Sequence, residues 1–137
     1  MTKVGIVDDE IIICETIKKH LEDLGYKVND YCLNYEEGID FLKKQSPDIM
    51  LLDINLKGEK SGIDLAKYIR QHYNIPVVFI SSYSDKKTIE QVKEIKANGY
   101  LLKPFTKNDL FTSIEIAISN FYDYNTNQQK ENSTQLK

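Results

Sequence analysis

"DIMLLDINLKGEKSG", Asp48 to Gly62, is the stretch whose reading decides the fold. Ile49, Met50, Leu51 and Leu52 run directly into Asp53, after which Gly and charged residues take over. A short apolar run of this kind predicts a strand buried on both faces, as in a parallel sheet covered by helices. Its last residue is a carboxylate. In open α/β sheets ligands bind beyond the carboxyl ends of the strands, so an acid there is placed for chemistry. The plainer alternative is an Asp that opens a turn or caps a helix.

Working outward, apolar runs and helical patterns alternate. "KVGIV" (Lys3 to Val7) predicts a strand, and Ile13, Ile17, Leu21 and Leu24 follow at helical spacing with Gly25 as the C-terminal cap. "KVNDYCL" holds a second strand, "YEEGIDFLKK" a helix, and the run ending at Asp53 the third strand. "GIDLAKYIRQH" predicts a helix that must stop before Pro76, and "PVVFIS" the next buried strand. "DKKTIEQVKEIKANG" predicts an exposed charged helix ending near Gly99, and "YLL" a short fifth strand. "TKNDLFTSIEIAISNFY" starts with Thr106 as N-cap and sets Leu110, Ile114, Ala117 and Phe121 on one apolar stripe. Ile116 lies off that stripe, an exposed apolar contact for a partner or dimer mate. Five strands alternating with five helices imply one parallel sheet with helices on both faces. Residues 122–137 are polar, and from Asn125 on they predict a disordered tail or a linker to a further domain.

Composition narrows the function. A chain of 137 residues with 41% apolar content suits one domain, residues 1–121. With 18 basic and 21 acidic residues the net charge is -3, and no Lys/Arg stripe points to direct nucleic-acid binding. No apolar stretch reaches membrane-span length and "MTKVGIVDDE" lacks a secretory core, so a cytoplasmic protein without membrane contact is expected. Cys14 and Cys32 have neither metal-ligand spacing nor a disulfide framework, and read as reduced thiols in or near the core.

The residues just after the strands carry the chemistry. They are Asp8 and Asp9 in "IVDDE", Asp53, Ser81 and Ser82 in "FISS", and Lys103 in "YLLKPF". A parallel sheet puts all of these on one edge. Three converging carboxylates raise a pKa or call for a cation. Hard oxygen donors suit Mg²⁺, which keeps waters and is completed by phosphate oxygens. Lys103 adds a fixed positive charge and leaves room for an incoming phosphoryl group. A carboxylate can attack phosphorus to give an aspartyl phosphate, and phosphoryl transfer asks mainly for positioning and charge neutralisation. Asp53, on the most apolar strand, is the best-placed nucleophile, with Asp8 and Asp9 toward a metal and Ser81 toward a phosphoryl oxygen.

These residues coincide with a known family. Over roughly residues 2–121 the chain resembles the receiver domain of two-component response regulators, through Asp8 and Asp9, Asp53, Ser81, Tyr100 and "KPF" at Lys103 to Phe105. The resemblance implies a flavodoxin-like (βα)5 fold and a regulatory phosphoacceptor, not an enzyme with turnover. It makes Asp53 the acceptor from a sensor histidine kinase or histidine phosphotransfer protein. It places Mg²⁺ (or Mn²⁺) on Asp9, Asp53 and the backbone carbonyl of Asn55, with Asp8 acting through water, and it makes the Lys103–Pro104 peptide cis. It also implies that Ser81 and Tyr100 switch position on phosphorylation and remodel the fourth helix, fifth strand and fifth helix toward a downstream target. A phosphorylation-dependent homodimer belongs to the same implication. Asn55 and Tyr83 fall where the family varies phosphoryl lifetime, and a bulky Tyr83 implies slow self-dephosphorylation. One departure stands out. "INLKGEKSG" has Lys57 where many receivers have proline, and Gly62 lies one residue later than usual.

Each residue also has a plain structural reading. Asp8 and Asp9 could cap the first helix, Lys103 could be solvated, Ser81 a turn hydroxyl and Tyr100 an edge aromatic. Two other functions compete. An aspartate-nucleophile phosphatase would place two Asp two residues apart after the first strand, a spacing "VDDEI" lacks. A receiver-like interaction module that is never phosphorylated need not keep Asp9, Asp53, Ser81 and Lys103 together.

Overall fold

The computed structural model describes residues 1–82 and 85–135, those from 124 on by backbone alone. The strands are β1 (Val4–Val7), β2 (Tyr31–Cys32), β3 (Ile49–Asp53), β4 (Val77–Ser81) and β5 (Gly99–Leu102). The helices between and after them are α1 (Ile11–Asp23), α2 (Tyr35–Lys44), α3 (Gly62–His72), α4 (Lys86–Ile95) and α5 (Lys107–Gln135). All strands pair in parallel in the order β2-β1-β3-β4-β5. Chain order reverses between β1 and β3, the topological switch point where such sheets open a crevice.

Alternation along each strand divides the core. Val4, Ile6, Ile49, Leu51, Val78, Ile80 and Leu101 pack with Cys14, Ile17 and Leu21 of α1 and with Leu110, Ile114 and Ala117 of α5. Val7, Met50, Leu52, Val77 and Phe79 point the other way, toward Leu42 of α2, Ile63, Leu65, Ala66 and Ile69 of α3, and Val92 of α4. The predicted stripe of the last helix is the buried one, and Ile116 is exposed. Every β3 residue is buried, as its unbroken apolar run requires.

Local signals set most boundaries. Gly25 follows α1 with φ 92°, a left-handed conformation that glycine adopts without Cβ strain. Thr106 caps α5 reciprocally: its Oγ1 accepts from the Asp109 N–H at 3.0 Å, while its own N–H donates to Asp109 Oδ2 at 3.0 Å. Thr106→Ala is expected to lower stability by about 1 kcal/mol, read as a shift in the urea midpoint with unchanged slope. Cys14 and Cys32 are free and buried, and burial, chiefly, pushes both thiols up to about 12. They are packing residues, as expected.

The structure sharpens three boundaries. The second strand lies within "KVNDYCL" but is only two residues long, and Lys27 at the start of that segment pairs separately with Lys3 through an isolated parallel bridge. The charged helix ends at Ile95 rather than near Gly99: Lys96 takes the left-handed cap conformation with φ 60°, and Gly99 instead opens β5. The segment read as a disordered tail continues α5 as helical backbone to Gln135. Polar composition argues against burying a core, but extending an existing helix needs no new nucleus. No Gly or Pro interrupts the sequence between Lys107 and Gln135, and Gln, Glu and Lys are good helix formers.

Candidate functional site

Register brings the acidic residues together. Val7 pairs with Leu52, so Asp8 emerges beside Asp53, and Asp53 in turn pairs with Ile80. Ser81 pairs with Leu102, which delivers Lys103 at the same edge. The result is a cleft of about 320 Å³ lined by Asp9, Glu10, Asp53, Asn55, Lys57, Ser82 and Lys103. Asp8 is buried beside it, 1% exposed and bonded to Lys103.

Lys103 joins the carboxylates. Its Nζ donates to Asp8 Oδ2 at 2.9 Å and stands 3.6 Å from Asp53 Oδ2 and 4.0 Å from Glu10 Oε1. Its side chain is 12% exposed, so it is not a solvated surface charge. The peptide linking it to Pro104 is cis, as expected. The Asn55 N–H donates to Asp53 Oδ1 at 3.2 Å, and the Cys14 thiol donates to the Asp8 carbonyl at 3.2 Å. Asp8 Oδ1 accepts the Glu10 N–H at 2.9 Å. The N-cap of α1 is Glu10, with no side-chain cap hydrogen bond, so neither Asp8 nor Asp9 serves as that helix's N-cap.

Electrostatics single out Asp53. Its burial, first, and the neighbouring Asp8 charge push its pKa from 3.8 up to about 6, against the pull of Lys103 and the Asn55 N–H. Burial alone would lower the Lys103 pKa, but its bond to Asp8 and the surrounding carboxylates raise it. Lys103 therefore remains cationic, and negative charge in the cleft is still under-compensated. The carboxylates of Asp8, Asp9 and Glu10 offer oxygens within 4.8 Å of one another, an all-oxygen donor set that suits a hard divalent cation.

The structure places the remaining sequence candidates unevenly. Asn55 lines the cleft. Ser81 ends β4 but is 0% exposed, and Ser82 is the serine that lines the cleft wall. Tyr100 is half-buried and packs on the α2–α3–α4 side of the sheet. Tyr83 lies outside the described residues. Glu10 lines the cleft without having been singled out, while Lys57 was noted only as a departure in the loop and Ser82 was placed at this edge without a role. Glu10 is the third acid of "DDE", one residue from a candidate. The displaced proline position was the only signal for Lys57.

A doubly wound five-stranded sheet with an acidic, lysine-bridged cleft at its switch point defines the class of signalling receivers. The chain belongs to the response regulator receiver domain family, whose model matches residues 4–115. Receiver domains are regulatory modules of two-component signalling. The transcriptional regulatory protein PdtaR of Mycobacterium tuberculosis is 29% identical over 119 residues, 87% of this chain and 58% of that protein. The chain thus spans little more than half the length of the curated relatives it matches. The signal receiver domain of a modulated diguanylate cyclase from Desulfovibrio desulfuricans is 35% identical with TM-score 0.83, covering 89% of this chain and 97% of that one. The N-terminal domain of a response regulator/sensory box/GGDEF three-domain protein from Carboxydothermus hydrogenoformans is 30% identical with TM-score 0.81, covering 91% and 99%. No helix among the described residues is long and apolar enough to cross a membrane.

Proposed function

We propose that residues 1–121 form a phosphoacceptor domain in which Asp53 takes a phosphoryl group from a sensor histidine kinase or histidine phosphotransfer protein. The observation that carries this reading is the placement of Asp53: buried at the end of a central strand, opening on the cleft, 3.6 Å from Lys103. An Asp53 carboxylate oxygen attacks phosphorus and the P–N bond to the donor imidazole breaks, its electron pair staying on nitrogen. Lys103 holds positive charge beside the new phosphoryl oxygens. Asp8, Asp9, Asp53 and the Asn55 carbonyl would hold Mg²⁺ or Mn²⁺, with Glu10 beside them; when bound, the ion supplies the charge that Lys103 alone does not.

Ser81 is assigned to bond a phosphoryl oxygen and Tyr100 to follow it, which together reshape the α4–β5–α5 face toward a downstream partner or a second copy. A shift from about 1% to about 99% active requires the phosphoryl group to favour that state by roughly 5.5 kcal/mol. The burial of Ser81 fits a hydroxyl that reaches the cleft only in the switched state. Asn55 and Tyr83 are assigned to phosphoryl lifetime. A cytoplasmic setting belongs to this reading.

The test is intact-protein mass after incubation with Mg²⁺ and a small acyl phosphate. One labile phosphate adduct is expected, absent without the metal and absent in Asp53→Ala. An adduct that survives Asp53→Ala would move the acceptor elsewhere, and steady turnover of a phosphate ester would point to a phosphatase. If neither the acyl phosphate nor a panel of histidine kinases labels the chain, the unphosphorylated module is the better reading. In the same assay Tyr83→Ala is expected to shorten the adduct's half-life, and an unchanged half-life would remove Tyr83 from that role.

A further inference from the structure

The largest cavity described, about 600 Å³, lies away from the acidic cleft, at the edge where β4 and β5 begin. Arg70 at the end of α3, Ile95, Lys96 and Asn98 after α4, and Asn120 and Phe121 on α5 line it. Its charged lining residues are both cations, and no carboxylate lines it among the described residues. Arg70 Nη2 donates to the Lys96 carbonyl and, at 2.9 Å, to Asn98 Oδ1, which also accepts the Val77 N–H at 2.9 Å. Arg70 Nε is buried with no hydrogen-bond partner. No carboxylate pairs with Arg70 or Lys96 among the described residues.

A structural role accounts for part of this. Arg70 ties the α4–β5 turn to α3 through Nη2, and a cation suits the negative end of a helix. That role leaves Lys96, which lines the cavity, and the cavity itself unused. The Arg70 guanidinium is half-buried with no counter-ion among the described residues, and that burial lowers its pKa. The volume falls in the ordinary range for small-molecule pockets, and apolar walls with a few convergent donors are their usual lining.

We propose that this cavity binds a small organic oxyanion, its carboxylate or phosphate held by Arg70, Lys96 and the Asn side chains and its apolar body against Ile95 and Phe121. The site is independent of Asp53 and needs no phosphoryl transfer, so it stands or falls separately from the receiver reading.

The experiment is amide NMR of the full ¹⁵N-labelled chain titrated with benzoate and, in parallel, with inorganic phosphate. Benzoate is expected to give saturable shifts at residues 95–98 and 120–121 in the millimolar range, with phosphate weaker for lack of the apolar contact. Arg70→Gln is expected to weaken benzoate binding about tenfold by removing a charge-assisted pair. Because Arg70 also holds the turn, Lys96→Gly is the second variant: it removes a cation at a position already at φ 60°, where glycine is favoured, so the fold is kept. It is expected to weaken binding severalfold. Absence of saturable shifts with either probe, or benzoate affinity unchanged in both variants, would overturn the proposal.

Discussion

Asp53→Asn is expected to stabilise the protein at pH 7.5 in metal-free buffer by about 3 kcal/mol, while abolishing the phosphate adduct. The acid's pKa is raised from 3.8 to about 6 by its burial and by Asp8, roughly two units at about 1.4 kcal/mol each. A raised acid binds its proton more tightly in the folded chain than in the unfolded one. Native stability therefore falls as pH rises through about 4 to 6, and the full penalty is present above pH 6. Asparagine carries no charge to desolvate and can still accept from the Asn55 N–H. Urea unfolding of both proteins across pH 4 to 7.5, in EDTA, measures the difference directly: the gap should open with rising pH and close below pH 4. Adding Mg²⁺ should narrow it at neutral pH, because a ligand bound only by the folded native cleft adds stability. Equal urea midpoints at pH 7.5 would mean that Lys103 already neutralises the site.

The same residues show why some of this molecule was legible in its sequence and some was not. An unbroken apolar run such as Ile49–Leu52 has few solutions besides a doubly covered strand, and a polar residue directly after it must stand at the sheet edge. Asp53, Asp8, Asp9 and Lys103 were therefore visible from linear position alone. Which of two adjacent serines faces the cleft is decided by the pleat and by where β4 lets go of β5, and one residue of displacement reverses the facing. Hence both serines were placed at this edge and the phosphoryl role was read for Ser81, while Ser82 lines the wall. Glu10 escaped for a related reason: its approach to Asp8 and Asp9 depends on the turn into α1, where the Glu10 N–H folds back onto Asp8. The left-handed Lys96 was hidden too, because Gly99, three residues on, carried the stronger textual signal for a helix end. The cavity beside Arg70 draws on three helices and a strand start, and no local pattern announces it.

Gly62→Ala is expected to be the most damaging single methyl in the molecule. Gly62 begins α3 against the end of β3, with its N–H donating to the Ile54 carbonyl at 2.8 Å. A Cβ there would lie 1.9 Å from the Asp53 backbone oxygen, 2.8 Å from its carbonyl carbon and 3.0 Å from Ile54 Cα. All three neighbours are backbone, so no rotamer change relieves the contact, and either α3 must lift or the acceptor strand must shift. Overpacking of this kind costs roughly 3 kcal/mol, well above the gain from alanine's better helix propensity. Ser61 and Asp64 form a capping box that holds the helix start in place, which makes movement of Asp53 the more damaging relief. Adduct formation should then slow by roughly tenfold or more, since an ångström of misplacement at a reacting group is felt directly. Gly38→Ala is the control. Its Cβ would meet Leu65 Cδ2 at 2.8 Å, the far end of a side chain that can turn aside, so a change within about 1 kcal/mol and an unaltered labelling rate are expected. Equal destabilisation by the two alanines would show that helix packing in general, and not the Asp53 carbonyl, accounts for the glycine at 62. A Gly62→Ala protein that unfolds more easily yet labels at the native rate would show that the acceptor is held by β3 alone. The expected pairing of lost stability with slowed labelling would instead explain why the loop after Asp53, one residue longer than in many receivers, still returns a glycine to the strand end.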